Sequence, residues 1–522
     1  MSESIERENK SEKYAVAISS ISNEPNLKGD WKNFFLLLLL YTMQGLPLGL
    51  ISSIPVLLKS NKNVSYNDQA IFNVVMLPYT LKLLWAPLVD SFYVKKIGRR
   101  KSWLIPIQFL MGSCFFYISN NINELLPETE KPNIPKLVYV FFITTFMIAT
   151  QDIVVDGWSL TILKRHNVGY ASTCNTTGLA IGLMIGSTSS VLCTSEKFCN
   201  KYLRSTHNIG GIVTLKSLLY AWGILFMFVT ILVGIFKKEK DCTLEDDHVT
   251  LNISQNYLLL RDIFKLRSIQ ILGIALLTVK TGFAAADHVS PLKLIDAGVS
   301  KDDIVFLNSS LHLIKIIVPL VVAKYTSGPK PMNVYLKATF IKLFWNLAFI
   351  VLIYYTPSII QINNEVNIPK YYYVILLFIF AIQEILSYTI FIASLAFFSR
   401  ISDTRFGGTY MTLLNTLSNL GGIWSSIVML KMVDYLTLKK CSIDSGNYCL
   451  TQHLQNMCIE KGGDCTTIMN GYYVEMILCT LIGIIWYNIF KNVIKDLQTI
   501  EVSEWLVKNV RLPVTEKNKH VF

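Results

Sequence analysis

The sequence predicts an all-α membrane protein with about 12 transmembrane helices in two pseudo-symmetric six-helix halves. Three observations predict it. Of 522 residues, 52% are apolar and only 16% charged, with a mean hydropathy of +0.42, against roughly 25% charged in an average globular chain. The apolar residues gather in runs of about 20, the length that crosses a hydrocarbon core of about 30 Å. Polar signatures inside those runs recur at a nearly fixed offset. An ordinary soluble enzyme is excluded. The formal charge of +12 comes from 48 Lys and Arg against 36 Asp and Glu. These cations are spread among loops beside apolar runs and form no long basic stripe, so the positive-inside rule accounts for them and no nucleic-acid partner is expected.

Residues 1–30 are polar, lack the apolar core of a signal peptide, and are expected to be a disordered cytosolic tail. Spans are then expected at 34–58, 70–93, 102–119, 137–163, 170–192 and 213–236, which returns the chain to the cytosol. A polar tether, 237–267, follows. Six further spans are expected at 269–289, 304–325, 334–355, 371–398, 407–432 and 472–490, with a second polar cytosolic tail over 491–522. The halves are thus 31–236 and 268–490. Short loops carrying Lys95, Lys96, Arg99, Arg100 and Lys101, then Lys164 and Arg165, then Lys237 and Lys238, face the cytosol on this reading.

The opposite side is expected to be oxidising. The long loop 433–470 there holds Cys441, Cys449, Cys458 and Cys465, disulfide candidates for which three pairings are open. Cys193 and Cys199 lie in another loop on that side. The spacings are not those of a zinc site, and no metal is expected. Asn63-Val64-Ser65 is a glycosylation sequon on the same side.

The halves repeat one another. Span two reads Lys82, Pro87-Leu88-Val89 and Tyr93; span eight reads Lys315, Pro319-Leu320-Val321 and Tyr325. Gln151-Asp152 in span four answers Gln383-Glu384 in span ten. Tyr170, Asn175-Thr176 and Gly182 in span five answer Tyr410, Asn415-Thr416 and Gly422 in span eleven. Pro319 lies 232 positions after Pro87, as Gln383 does after Gln151, and Tyr410 lies 240 after Tyr170. Pairing two with eight, four with ten and five with eleven gives like-oriented halves, the parallel repeat of the major facilitator architecture, with a central cavity and alternating access by rocking.

An ionisable group deep in a span costs at least about 2.5–3.5 kcal/mol and needs a partner or a wet cavity. Lys82, Lys280, Lys315 and Lys342 sit deep, against Asp152, Asp156 and Glu384, with Asp90 and Asp287 nearer span ends. Each is either half of a static interhelical pair or part of a site; together the lysines favour an anionic passenger. Asp152 and Asp156 share a helix face, and Glu384, the repeat partner of Asp152, is the candidate carrier of a coupling proton, its alternative being a static pair with Lys315 or Lys280. Trp85, three positions after Lys82, is either a stacking surface for a base or ordinary packing. Gly178, Gly182 and Gly186 let another helix approach span five, and Pro47 and Pro55 with Gly45 and Gly49 loosen span one.

Long strings then carry a resemblance. Residues 41–50 (Tyr-Thr-Met-Gln-Gly-Leu-Pro-Leu-Gly-Leu), 81–90 (Leu-Lys-Leu-Leu-Trp-Ala-Pro-Leu-Val-Asp), 98–103 (Gly-Arg-Arg-Lys-Ser-Trp), 170–175 (Tyr-Ala-Ser-Thr-Cys-Asn), 407–416 (Gly-Gly-Thr-Tyr-Met-Thr-Leu-Leu-Asn-Thr) and 471–475 (Gly-Tyr-Tyr-Val-Glu) resemble the acetyl-coenzyme A transporter family, solute carrier family 33. Thr150-Gln151-Asp152, Val155-Asp156-Gly157-Trp158 and Lys324-Tyr325-Thr326 do so too.

The resemblance implies a multi-pass endoplasmic reticulum protein that carries acetyl-CoA into the lumen in exchange for CoA; the span count and loop charges put both termini in the cytosol, and a proton on a deep carboxylate is the alternative coupling. Substrate-binding candidates are Lys82, Trp85, Lys280, Lys315, Lys342, Gln44, Tyr41, Asn175 and Asn415. Coupling or gating candidates are Asp152, Asp156, Glu384, Asp90, Arg99 and Arg100; the last three resemble the loop after span two by which major facilitators latch their halves, at a longer spacing.

The rival readings are a proton-coupled carrier of another bulky organic anion, such as glutathione disulfide or a nucleotide sugar, and a membrane-embedded acyltransferase. The second lacks a His-Asp or Cys-His constellation at plausible depth. No Gly-x-x-x-x-Gly-Lys-Ser/Thr string is present, so neither ATP nor any other cofactor is expected. The sequence leaves open whether the chain forms a homodimer.

Overall fold

The computed structural model describes residues 25–60, 71–127, 132–194, 196, 199–200, 204, 208–239, 253–299, 307, 310–362, 365–366, 369–442, 449, 452–460 and 463–507. The Asn63 sequon lies outside them. Among the described residues the main helical elements are α1 Trp31–Ser60, α2 over 73–91, α3 Lys101–Asn120, α4 Ile134–Ile162, α5 Tyr170–Val191, α6 Leu215–Phe236, α7 over 267–296, α8 His312–Thr326, α9 Pro331–Ile360, α10 Lys370–Ile401, α11 Gly407–Leu436 and α12 Gly471–Leu497. Eight are single helices long and apolar enough to cross a membrane, and α7 is a ninth as a pair, Arg267–Gly282 and Ala285–Asp296, bent by 49°. Both described chain ends lie on one face, the end-bearing face. The cysteine-rich segment lies on the other.

Several elements differ from the expected plain spans. α2 is a chain of short turns, Asn73–Met76, Leu77–Leu81, Lys82–Leu84 and Ala86–Ser91, because Pro78 and Pro87 each lack the N–H that would continue the ladder. α7 breaks at the 3₁₀ turn Lys280–Gly282, where Gly282 packs against Gly483 of α12; a Cβ on Gly282 would lie 2.8 Å from that Cα. The expected start of span eight, at 304, lies outside the described residues. The polar tether contains an amphipathic linker helix, Ile253–Lys265, whose Asn256, Leu259 and Ile263 are buried. Over the described residues 491–507 the chain is not a polar tail: α12 runs to Leu497, and in the turn Val502–Trp505 the Trp505 side chain is buried, its carbonyl accepting a 2.8 Å bond from the Tyr410 hydroxyl. Ile494, Leu497 and Trp505 are buried in one second-half core and anchor this segment, the indole burying the largest apolar area of the three.

Between α11 and α12, β3 is the strand Leu438–Cys441 and β4 the strand Cys465–Met469; β1, Gln361–Ile362, and β2, Glu365–Val366, form a small hairpin before α10. β3 and β4 pair antiparallel with Cys441 opposite Cys465. Disulfides join Cys441 to Cys458 and Cys449 to Cys465, which selects one of the three pairings. Cys193 and Cys199 are thiols.

The halves interlock through two equivalent contacts. α2 packs on α11 and α5 on α8; because the repeat equates α2 with α8 and α5 with α11, these are one contact seen twice about a pseudo-twofold axis. Within the first half, α1 and α5 approach through glycines. A Cβ on Gly45 would lie 2.8 Å from the Gly182 Cα, and one on Gly178 would lie 2.7 Å from the Tyr41 Cβ. One apolar core fills the first half, and the second half holds two. Leu160 and Val168, near the end-bearing ends of α4 and α5, belong to a second-half core, so the halves meet on that face.

Candidate functional site

The deep polar residues assemble into two networks, one in each half. In the first, Asp152 on α4 receives Lys82 Nζ on one oxygen. Its other oxygen accepts Gln44 Nε2 at 2.6 Å and the Tyr79 hydroxyl at 3.2 Å. Lys82 opens α2's third turn, right after the break at Leu81, and its ammonium also lies 4.7 Å from the Tyr79 ring centroid. The Lys82 and Asp152 side chains are each 4% exposed. A buried pair of this kind persists only when its remaining valences are also satisfied, which Gln44 and Tyr79 do.

The second network repeats the first. Lys315 on α8 meets Glu384 on α10 at 2.8 Å, the same pair of helices by the repeat as Lys82 on α2 and Asp152 on α4. Here the side chains are 28% and 23% exposed, with the Tyr388 ring 5.6 Å from the ammonium. A further cluster has no first-half counterpart in the sequence. Lys342 on α9 pairs with Asp287 on α7 at 2.9 Å and donates to Ser387 Oγ at 2.8 Å, while Gln383 Nε2 donates to Asp287 at 2.7 Å and to Asn346 Oδ1 at 3.2 Å.

Three of the four deep lysines therefore already face carboxylates, so the lysine count overstates the free positive charge. Lys280 is the exception: among the described residues it has no carboxylate within ion-pair distance and no hydrogen-bond partner, Asp287 acting on it only at longer range, and it is only partly buried at the α7 break. A Cβ on Gly422 of α11 would lie 3.2 Å from its Cδ and 3.4 Å from its Nζ, so the absence of a side chain there gives the lysine its path.

Asp156, one turn after Asp152, accepts from Tyr41 at 2.8 Å, from Asn175 at 3.1 Å and from Asn415 at 3.3 Å. Asn175 and Asn415 are the repeat-related pair, and they reach one carboxylate from opposite halves. Nearer the end-bearing surface, Asp90 forms a second bridge. Its Oδ1 pairs with Arg100 Nη1 at 2.5 Å, Arg99 Nε donates to its carbonyl at 2.9 Å, and its Oδ2 accepts the Thr409 amide at 2.7 Å and hydroxyl at 2.8 Å from the other half. Arg165 donates to the Arg400 carbonyl at 3.1 Å on the same side. The halves are thus latched on the end-bearing face.

Trp85 packs its ring 4.8 Å from Phe146 and donates to Thr150 at 3.2 Å, the arrangement of a packing residue rather than an open stacking surface. Tyr41 and Gln44 are committed to Asp156 and Asp152. Residues that sequence reasoning did not single out are Thr409, Asn346, Ser387 and Glu475. Thr409 lies inside one matching string and Glu475 ends another, which was the available signal. Glu475 is fully buried on α12, with neither carboxylate oxygen hydrogen-bonded among the described residues.

Comparison with known proteins adds three findings. A family model described as acetyl-coenzyme A transporter 1 matches residues 33–251 and 241–507. An uncharacterized protein of Schizosaccharomyces pombe is 32% identical, covering 93% of this chain and 91% of its own, and an uncharacterized membrane protein of Saccharomyces cerevisiae is 30% identical, covering 92% and 98%. Among solved structures, the major facilitator transporter FucP in its outward conformation aligns at 13% identity over 88% of this chain and 98% of its own, with a TM-score of 0.49.

Proposed function

The chain belongs to the acetyl-coenzyme A transporter family, and from that premise we propose that it carries acetyl-CoA from the cytosol into the endoplasmic reticulum lumen by alternating access. It is a multi-pass membrane transporter of major facilitator architecture, and its family is not one of enzymes. The disulfide-bearing face is the lumenal one on this reading, because disulfides persist in an oxidising compartment, and the end-bearing face with its Lys and Arg loops is cytosolic. The described state is then closed to the cytosol. Opening it requires the Asp90–Thr409 and Asp156–Asn415 bonds to break while the twofold contacts of α2 with α11 and α5 with α8 shift.

The observation that carries an anionic passenger is Lys280, a partly buried ammonium with no carboxylate partner among the described residues. Asp287 acts on it only at longer range and is itself paired with Lys342, so a passenger anion is the partner this ammonium lacks among the described residues, and the phosphates of acetyl-CoA provide that charge. The Lys315–Glu384 pair, more exposed than its Lys82–Asp152 counterpart, is the one from which a carboxylate is freed to accept a coupling proton. Exchange for CoA is the alternative driving force. A single free lysine also supports a second reading, a less highly charged organic anion such as glutathione disulfide.

Sealed liposomes containing purified protein, with or without internal CoA, separate these. Acetyl-CoA labelled in both acetyl and adenine parts should enter with the labels together, faster with CoA inside, and Lys280→Ala should lower uptake at least about tenfold, the loss of one charge-assisted contact. Entry of the acetyl label alone would make the protein an acyltransferase. No entry of either label would remove acetyl-CoA in favour of the other anions.

A further inference from the structure

We propose that the linker helix and the turn after α2 together form a binding site for anionic phospholipid headgroups on the end-bearing face. The linker helix is docked, not free. Its Asn256 Nδ2 donates to Ser91 Oγ at 2.5 Å, and its Tyr257 hydroxyl donates to the Leu84 carbonyl at 2.5 Å. Leu84 is itself 65% exposed on the outside of the bundle, so the helix lies where that outer surface passes from hydrocarbon to headgroups.

With Asn256, Leu259 and Ile263 turned inward, the outer face carries Ile253, Leu258 and Phe264, all exposed, beside the exposed cations Arg261 and Lys265. The turn that follows Ser91 has the same character: Phe92, Val94 and Ile97 are exposed, and Lys95 and Lys96 are exposed between them.

Among the described residues the charges do not cancel locally. Asp262 is a single carboxylate shared by Arg261 at 3.6 Å and Lys265 at 3.2 Å. Glu239, the nearest acid of the tether among the described residues, has its oxygens taken by the backbone amides of Arg100 and Lys101 at 2.9 Å and 3.1 Å. The patch is therefore apolar and cationic together. Open water disfavours this many exposed large apolar side chains on two elements joined at Asn256 and Ser91, and hydrocarbon disfavours four cations. The headgroup layer accepts both, with the apolar groups reaching the acyl boundary and the ammonium and guanidinium groups meeting phosphates. Each such cation favours an anionic over a zwitterionic surface, which fixes the lipid class.

The site is independent of what is transported, and its test needs no passenger. The full chain, purified in neutral detergent, is mixed with equal phosphatidylinositol and phosphatidylcholine and weighed by native mass spectrometry. Wild type should retain phosphatidylinositol at least about tenfold over phosphatidylcholine. K95Q/K96Q/R261Q/K265Q should retain the two nearly equally, and K95Q/K96Q should fall between. K136Q, which removes a partly exposed cation paired with Glu124 near the opposite face, should keep the wild-type preference. A melting curve of each variant verifies that the fold is intact. Equal retention by wild type, or an unchanged preference in the quadruple variant, would overturn the proposal, as would loss of the preference in K136Q.

Discussion

Replacing Lys82 by Met should cost the protein far more stability than replacing Lys315 by Met, although the two lysines occupy equivalent places in the repeat. The Lys82 and Asp152 side chains are 4% exposed, whereas Lys315 and Glu384 are 28% and 23% exposed. Removing Lys82 leaves the Asp152 carboxylate buried beside Asp156, held only by Gln44 and Tyr79. Breaking a buried pair in this way costs about 3–5 kcal/mol, while loss of a partly hydrated pair costs about 0–1 kcal/mol. In thermal unfolding of the purified protein, these become a drop of about 3–5 °C for K82M and of about 1 °C or less for K315M. The double variant K82M/D152N should recover most of the loss, because the uncompensated charge is gone. Equal shifts for K82M and K315M, or a double variant no better than K82M, would refute the reasoning that burial of the charge sets the cost.

Four further outcomes follow from the geometry. Asp90→Asn should weaken the latch and raise the labelling rate of a cysteine placed at Thr412 from the end-bearing side several-fold, measured with a membrane-impermeant maleimide. Gly182→Val should lower the melting temperature and the folded yield, read by size-exclusion chromatography, because its Cβ would crowd Gly45 on α1, 2.6 Å away. Non-reducing peptide mapping should recover Cys441 joined to Cys458 and Cys449 joined to Cys465, and removing either pair should cost about 3 kcal/mol, given loops of 17 and 16 residues. Burial pushes the Asp30 carboxyl up, yet the Lys164 amide and the Asn167 and Asn33 side chains donate to it and hold it below its ordinary value of 3.8. A depressed carboxylate contributes stability that is present above its unfolded value and lost as pH falls through the folded one. Hydrogen exchange at residues 26–30 should therefore gain protection relative to Asp30→Asn at neutral pH and lose that difference below about pH 4.

The sequence was most legible where a single local property decides the outcome. Hydropathy placed the helical elements because each must satisfy its own backbone in lipid, and the paired strings around Pro87 and Pro319 and around Tyr170 and Tyr410 already carried the repeat. It was least legible where packing supplies the reason. The tether became a docked helix because Leu259 and Ile263 find a core, and Trp505 in the expected tail is buried because a site for one indole exists beside Tyr410 and Phe397.

The residues of the candidate site were mostly nameable in advance, since a charge in a span has few permitted fates. Which fate each took was not. That Lys82 meets Asp152 and Lys315 meets Glu384, that Lys342 turns to Asp287, and that Lys280 alone of the four has no partner among the described residues are distances between helices. Such distances arise only when helices far apart in the chain are brought side by side. The sequence by itself determined a two-half membrane transporter and its inventory of buried charges; the tertiary structure decided which charges cancel, because electrostatic pairing depends on separation in space and on burial, neither of which spacing along a chain contains.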